Sequence, residues 1–350
     1  MPDCFAYDQK DALFYDQNIR DRLPKKLVDA HCHVNLPSHV GPLDPADIAG
    51  DWALQCGVEL PAERAKSILR TLFPDARTNC LALPLPLEQA NMAANNSYLA
   101  ELFTRLGEPA LMAVKPQWSP EQVEHDLLAG RFNGFKPYLS FARSIAPAQL
   151  RISDYLPETQ LAIANRHSKV VLLHLPRPER LADDDNIRDL RMIVERYPDL
   201  RLVLAHLGRS FNVDFLREGL VKLGDAASRL YFDTAAVLNP EVYALAFEKL
   251  RPDQILFGTD MPFMLWHGRR RWTERTYINL CREDFPWNRH LEPELETDYT
   301  LFIYEQVKVI LDVTGQAGTD RDRLRTAVFS GNAEKVYRFS TERSGPDASR

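Results

Sequence analysis

The run LVDAHCHV, residues 27–34, joins an apolar start to two histidines two positions apart. In a strand, residues i and i+2 face the same side. His31 and His33 therefore share a face, with Asp29 on the same parity, while Cys32 alternates away and reads as a small buried wall residue. Seven further runs of the same kind come later: TNCLALPLP (78–86), ALMAVKP (110–116), FNGFKPYLSF (132–141), KVVLLHLP (169–176), RLVLAHLG (201–208), LYFDTAAV (230–237) and ILFGTDMPF (255–263). Between them lie helix signals. Ser119-Pro120-Glu121-Gln122 combines an N-cap, an N1 proline and a capping-box Gln, and Asn239-Pro240-Glu241 repeats the logic. Residues 62–73, 187–197 and 241–250 carry apolar stripes at helical spacing. Strands alternating with helices at roughly thirty-residue intervals are the pattern of parallel βαβ units. Eight such units predict an α/β protein of the (β/α)8 TIM-barrel type.

The 350 residues exceed the roughly 250 of a minimal barrel, yet no Gly/Ser-rich linker divides them. The expected organisation is an N-terminal extension over 1–26, one barrel domain over 27–340 and a tail over 341–350. Two stretches overrun the repeat, residues 35–61 after the first strand and 264–298 after the eighth. Both lie beyond strand C-termini, the end where barrel active sites are built, so they are expected to wall the site. A net charge of −6 with dispersed basic residues excludes a nucleic-acid footprint. No apolar stretch approaches the roughly 20 residues of a membrane span, and the N-terminus lacks a signal-peptide core. Five scattered cysteines without a CxxC pattern read as reduced thiols. These features predict a cytoplasmic protein with a small-molecule substrate, with a homodimer as the default assembly.

An HxH pair alone also describes two surface or hydrogen-bonded histidines. Here His174 ends VVLLH, His206 ends LVLAH and Asp260 ends ILFGTD. Polar groups after apolar runs need a partner or a metal, and their recurrence at strand ends favours a metal centre. Lys136 lies on the fourth strand. Arg177 and Arg209 come three residues after His174 and His206, so both belong at the rim, where a guanidinium binds a carboxylate bidentately. Trp266, His267 and Arg269 to Arg271 form a candidate aromatic and basic wall of the pocket.

DAHCHV, VVLLHLP, LVLAHLG, FGTDMPF and the later SGNAEKVYRF (330–339) together resemble the amidohydrolase superfamily, and within it the amidohydrolase-related branch that includes aminocarboxymuconate-semialdehyde decarboxylase, aromatic-acid decarboxylases and lactonases. The resemblance covers residues 27–340. It implies His31, His33, His174 and Asp260 as ligands of one divalent ion, zinc in the first place and manganese in the second. It also implies that His206 stands beside the metal as an acid or electrophile; Lys136 holds the position of a bridging lysine in some members, and here a contact to a substrate carboxylate or a structural contact is expected instead. Such a centre can activate water, with Asp260 taking its proton. The leading expectation is hydrolysis of a small lactone or amide bearing an anionic group. Non-oxidative decarboxylation of an aromatic or unsaturated acid uses the same constellation, and a ligand-binding barrel without turnover is the third reading.

Overall fold

All eight runs form strands in the structure, a computed structural model that describes residues 5–50, 52–107 and 109–339. They are β1 Lys26–His33, β2 Arg77–Leu83, β3 Leu111–Val114, β4 Gly134–Pro137, β5 Val170–Leu173, β6 Arg201–Leu204, β7 Leu230–Asp233 and β8 Ile255–Leu256. Strands β3 to β8 pair in chain order as one parallel sheet, and β1 pairs parallel with β2. Two seams join these sheets into a barrel. At the first, Ala82 bridges Ala110 and its amide donates to the Pro109 carbonyl at 2.9 Å. At the second, the chain beyond β8 runs beside β1. There the amides of Ala30, Asp260 and His33 donate to the carbonyls of Phe257, His31 and Met261, each at 2.8 Å. Closure leaves the strands no free edge.

Alternation then sorts the side chains. Val28, Ala30, Leu81, Leu83, Leu111, Val170, Leu172, Val203 and Leu256 pack together inside the barrel. Val171, Leu173, Leu202 and Leu204 face the surrounding helices. The N-terminal end of the barrel is plugged by the helix Asn332–Tyr337, whose Ala333, Val336 and Tyr337 join the inner cluster. Lys26 pairs with Glu334 and the Asn133 amide donates to the Tyr337 carbonyl at 2.7 Å, fixing that plug to the strand starts. The opposite end is left to the polar residues.

Strand β1 departs from simple alternation at one point. The register with β2 shifts between Asp29 and Cys32, Ala30 packs inside the barrel, and Cys32 belongs to the outer layer. A bulge reverses the parity of the residues after it. Val28 and Ala30 below, and His31 and His33 above, can therefore all face inward. Asp29 does not share their face, contrary to the parity expected from sequence. It turns to the second seam, where it accepts hydrogen bonds from the His31 amide at 3.0 Å, the Thr259 amide at 2.9 Å and the Thr259 hydroxyl at 2.5 Å.

The segment before β1 is packed rather than appended: helix Gln9–Asn18 is capped by Asp8 and leads Tyr15 and Ile19 into the core. After β1 come short helices at Pro45–Gly50 and Trp52–Cys56. After β8 comes an antiparallel hairpin, β9 Gly268–Thr273 with β10 Thr276–Cys281. The expected tail over 341–350 lies outside the described residues. Ser119 and Asn239 cap their helices as the sequence predicts, accepting from the amides of Gln122 and Glu241.

Close approach of β4 to β5 depends on Gly134, where a Cβ would lie 1.8 Å from the Val170 carbonyl oxygen. Gly134→Ala is expected to cost about 3 kcal/mol or more, read as a lower urea midpoint at unchanged slope. An unchanged midpoint would refute that packing.

Candidate active site

At the C-terminal end of the strands lies a cavity of about 530 Å³ into which His31, His33, Lys136, His174, Arg177, His206, Arg209 and Asp260 all reach. Non-glycine residues in the left-handed region gather here: Arg177 (φ 66°), His206 (57°), Leu207 (50°), Arg209 (60°), Ala236 (56°) and Asp260 (65°). Each such residue costs of order 1–2 kcal/mol, and strain of this kind collects at functional sites. It arises because the chain turns sharply as it leaves each strand.

The outer nitrogens of three histidines are already committed. His31 Nδ1 lies 2.8 Å from Asp233 Oδ2, His33 Nδ1 is 2.8 Å from the Pro84 carbonyl, and His206 Nδ1 is 2.8 Å from the Ala235 carbonyl. Carbonyls and carboxylates accept only, which assigns the proton to Nδ1 in each ring. A ring protonated at Nδ1 alone offers its Nε2 lone pair to the cavity. For His206 this differs from the donor role that the resemblance implies. Burial pulls His206 down to about 4 and depresses His33 and, more strongly, His174, so these rings are neutral at physiological pH.

Asp260 Oδ1 stands 3.4 Å from His31 Nε2 and 3.3 Å from His33 Nε2. Donors about 2.0–2.1 Å from one tetrahedral centre are spaced about 3.3 Å apart, so these three residues fit a divalent ion as they stand. His174 lines the same cavity, with its ring 5.2 Å from that of His206; among the described residues its nitrogens do not converge with His31, His33 and Asp260 as those three do with one another. Burial opposes the charge on Asp260, yet His31 beside it holds the carboxyl well below the usual range. It is ionised.

A family model described as amidohydrolase matches residues 28–339. The chain belongs to the amidohydrolase family. No curated protein is significantly similar to it in sequence. Solved structures share its fold at low identity. The 5-carboxyvanillate decarboxylase of Sphingomonas paucimobilis superposes with a TM-score of 0.54 at 13% identity, covering 91% of this chain and 100% of that one. A dihydroxybenzoic acid decarboxylase from Polaromonas sp. JS666, solved with manganese and 2-nitroresorcinol, gives 0.55 at 14% over 90% and 97%. A probable 2-pyrone-4,6-dicarboxylic acid hydrolase from Acinetobacter baumannii, with citric acid bound, gives 0.55 at 13% over 89% and 99%. At these identities the likeness is one of fold.

Within this amidohydrolase the cations differ in how far they are neutralised. Arg177 is paired with Asp183 at 2.8 Å and Asp185 at 3.0 Å. Arg209 reaches carbonyls, Leu175 at 2.9 Å among them, and burial pulls it down to about 10. Lys136 is 2% exposed, lies 5.0 Å from the Tyr138 ring centroid, and is pulled down to about 8 by burial. Among the described residues neither Arg209 nor Lys136 has a carboxylate in salt-bridge contact.

The expected wall of Trp266, His267 and Arg269 to Arg271 does not line this cavity. Trp266 donates to the Phe263 carbonyl at 2.9 Å and packs 4.3 Å from Phe302, inside the core under the hairpin. His267 is wholly buried between Asp11 at 2.9 Å and Glu283 at 2.5 Å. Neither lines the cavity, because the chain turns away from the barrel mouth after Phe263. Conversely, the sequence reading passed over Asp233 and Tyr138. Asp233 binds His31 through one oxygen and the His206 amide at 2.8 Å through the other. Its signal was available: it ends LYFD as His206 ends LVLAH. Tyr138 lines the wall and donates to Pro84, the same carbonyl that fixes His33.

Asp233→Asn removes the charge that fixes His31, and loss of such a partner typically weakens metal affinity 10–100-fold. Chelator competition coupled to metal analysis measures this, and an unchanged affinity would exclude the positioning role. His267 makes a separate prediction. Burial lowers its pKa, but hydrogen bonds to Asp11 and Glu283 outweigh that and raise it. The stabilisation is then complete below the unfolded value of about 6.5 and is lost as pH rises through the higher folded value. Urea midpoints between pH 6 and 9 are expected to fall more steeply for the natural protein than for His267→Gln; parallel profiles would refute the ion triad.

Proposed function

We propose that this protein is a metal-dependent hydrolase of a small lactone or amide that carries an anionic group. The observation that carries the reading is the floor of proton acceptors: an ionised Asp260 among Nε2 lone pairs whose Nδ1 protons are spent elsewhere. Water activation requires acceptors. A divalent ion bound by His31, His33, His174 and Asp260 supplies Lewis acidity toward the carbonyl and lowers the pKa of water. Imidazole and carboxylate ligands suit zinc first and manganese second.

In this scheme Asp260 accepts a proton from the attacking water as its oxygen adds to the carbonyl carbon. His206 Nε2 accepts the water's second hydrogen bond and aligns it. As the C–O or C–N bond breaks, Asp260 returns its proton to the leaving oxygen or nitrogen. Arg209, lacking a carboxylate of its own, binds the anionic group, while Arg177 stays engaged with Asp183 and Asp185 and shapes the rim. Lys136 and Tyr138 line the wall beside His33. The four described cysteines are buried and free, which suits a reducing cytoplasm, and among the described residues no helix is long and apolar enough to cross a membrane.

A second reading rests on Lys136. At about 8 its ammonium still carries a proton at neutral pH, and a donor facing the cavity suits protonation at carbon after loss of carbon dioxide. The two reactions separate in one assay of metal-loaded protein against lactone, amide and aromatic-acid panels, tracking acid and carbon dioxide together. Acid release without carbon dioxide is expected; carbon dioxide release would replace the hydrolase with a lyase, and inertness across the panels would leave a binding barrel. On an active anionic substrate, Arg209→Met is expected to raise KM about 10–100-fold, and Arg177→Met less. Equal effects would remove the distinction between the two arginines.

A further inference from the structure

Arg270 is the middle of three consecutive arginines on β9. Strand alternation sends Arg269 and Arg271 outward, where both contact Glu292. Arg270 points inward and is 5% exposed. Among the described residues it has no ion-pair partner. Its guanidinium lies 4.0 Å from the Tyr277 ring centroid, 4.9 Å from Phe302 and 5.1 Å from Phe211. Nε donates to Asn279 Oδ1 at 3.0 Å and one terminal nitrogen to the Ala236 carbonyl at 2.7 Å.

That last bond leads to the active site. Ala236 sits in the left-handed region directly after Ala235, whose carbonyl accepts the Nδ1 proton of His206. The same loop begins at Asp233, which accepts from the amides of His206 and Ala235 at 2.8 and 3.1 Å. A loop held in a strained conformation needs an external hold, and Arg270 supplies one at the residue beside the critical carbonyl. A second route converges on the same ring: Phe211 lies between Arg270 and His206, its centroid 5.8 Å from that of His206 and 5.2 Å from Tyr277 on β10.

We propose that Arg270 is a positioning residue for His206, by which the hairpin after β8 fixes the tautomer and orientation of that imidazole through the Ala235–Ala236 turn and Phe211. The consequence for function rests on the reading of His206 as the group that aligns water. A buried cation without a counter-ion adds little to stability, and its exchange for an apolar residue of similar length is tolerated. Arg270 can therefore be removed without losing the fold.

The test uses the zinc-loaded full chain and compares the natural protein with Arg270→Met and Arg270→Lys. Long-range proton–nitrogen correlation of the His206 ring, identified by its loss in His206→Asn, reads the tautomer directly. The natural protein is expected to show Nδ1–H only. Arg270→Met should keep its zinc and its circular dichroism, show a mixed tautomer, and lower kcat about tenfold or more with KM within about threefold. Arg270→Lys, which restores one donor to Ala236, should recover most of the single tautomer. Should Arg270→Met fail to fold, Asn279→Ala loosens the same guanidinium and is expected to shift the same signals less. His206 signals unchanged in whichever variant folds would overturn the proposal. A mixed tautomer with unchanged kcat would uphold the positioning and overturn the role given to His206.

Discussion

Between β1 and the chain after β8, backbone hydrogen bonds and the Asp29 carboxylate hold together segments 230 residues apart. The site depends on this seam, because His31 and His33 lie on one side of it and Asp260 on the other. The bond from the Asp260 amide to the His31 carbonyl sets their separation directly. Gly258 shows how tight the contact is: a Cβ there would lie 2.8 Å from that of His31. Burial raises Asp29 to about 6, despite three donors facing it. The same contacts that close the barrel thus also space the donors, so the centre is organised by fold-level pairing before any ion arrives.

A second layer of fixed charge acts on the first. Asp233 is fully buried, and although burial opposes its ionisation, His31 and the surrounding donors hold it below the ordinary carboxylate range. It grips the His31 ring with one oxygen and the backbone of His206 with the other. One carboxylate therefore relates two imidazoles to each other. Pro84 and Ala235 complete the set with carbonyls that can only accept. Hydrogen-bond partners outside the cavity, rather than residues within it, decide what each ring presents inside.

Most of the barrel was legible in sequence because parallel strands buried on both faces read as apolar runs, and polar residues ending such runs mark the mouth. His31, His33, His174, His206 and Asp260 were found on that ground alone. Three things were not legible. The bulge in β1 changes parity without changing composition, so Asp29 looked like a companion of the histidines when it faces the seam. Asp233 ended a run that carried no histidine to draw attention to it. Trp266 and His267 lie within seven residues of Asp260 in sequence, but closeness in sequence does not survive the turn after Phe263. Their aromatic and ionic partners, Phe302, Asp11 and Glu283, come from distant parts of the chain, Glu283 from the segment just after the hairpin. Only tertiary packing could assign them.

The distribution of charge across the cavity then orients what enters. Acceptors gather where β1 and the chain after β8 meet; among the described residues Lys136 on β4 and Arg209 after β6 have no carboxylate in salt-bridge contact, and Lys136 feels the charges of Asp233 and Asp260. On the proposed reading an anionic group is directed toward Arg209, because beside the ionised Asp260 it would meet like charge. Arg177, already paired with two aspartates, adds little to this gradient. On that reading orientation follows from which cations the fold leaves unneutralised, one on strand β4 and one on the loop after β6.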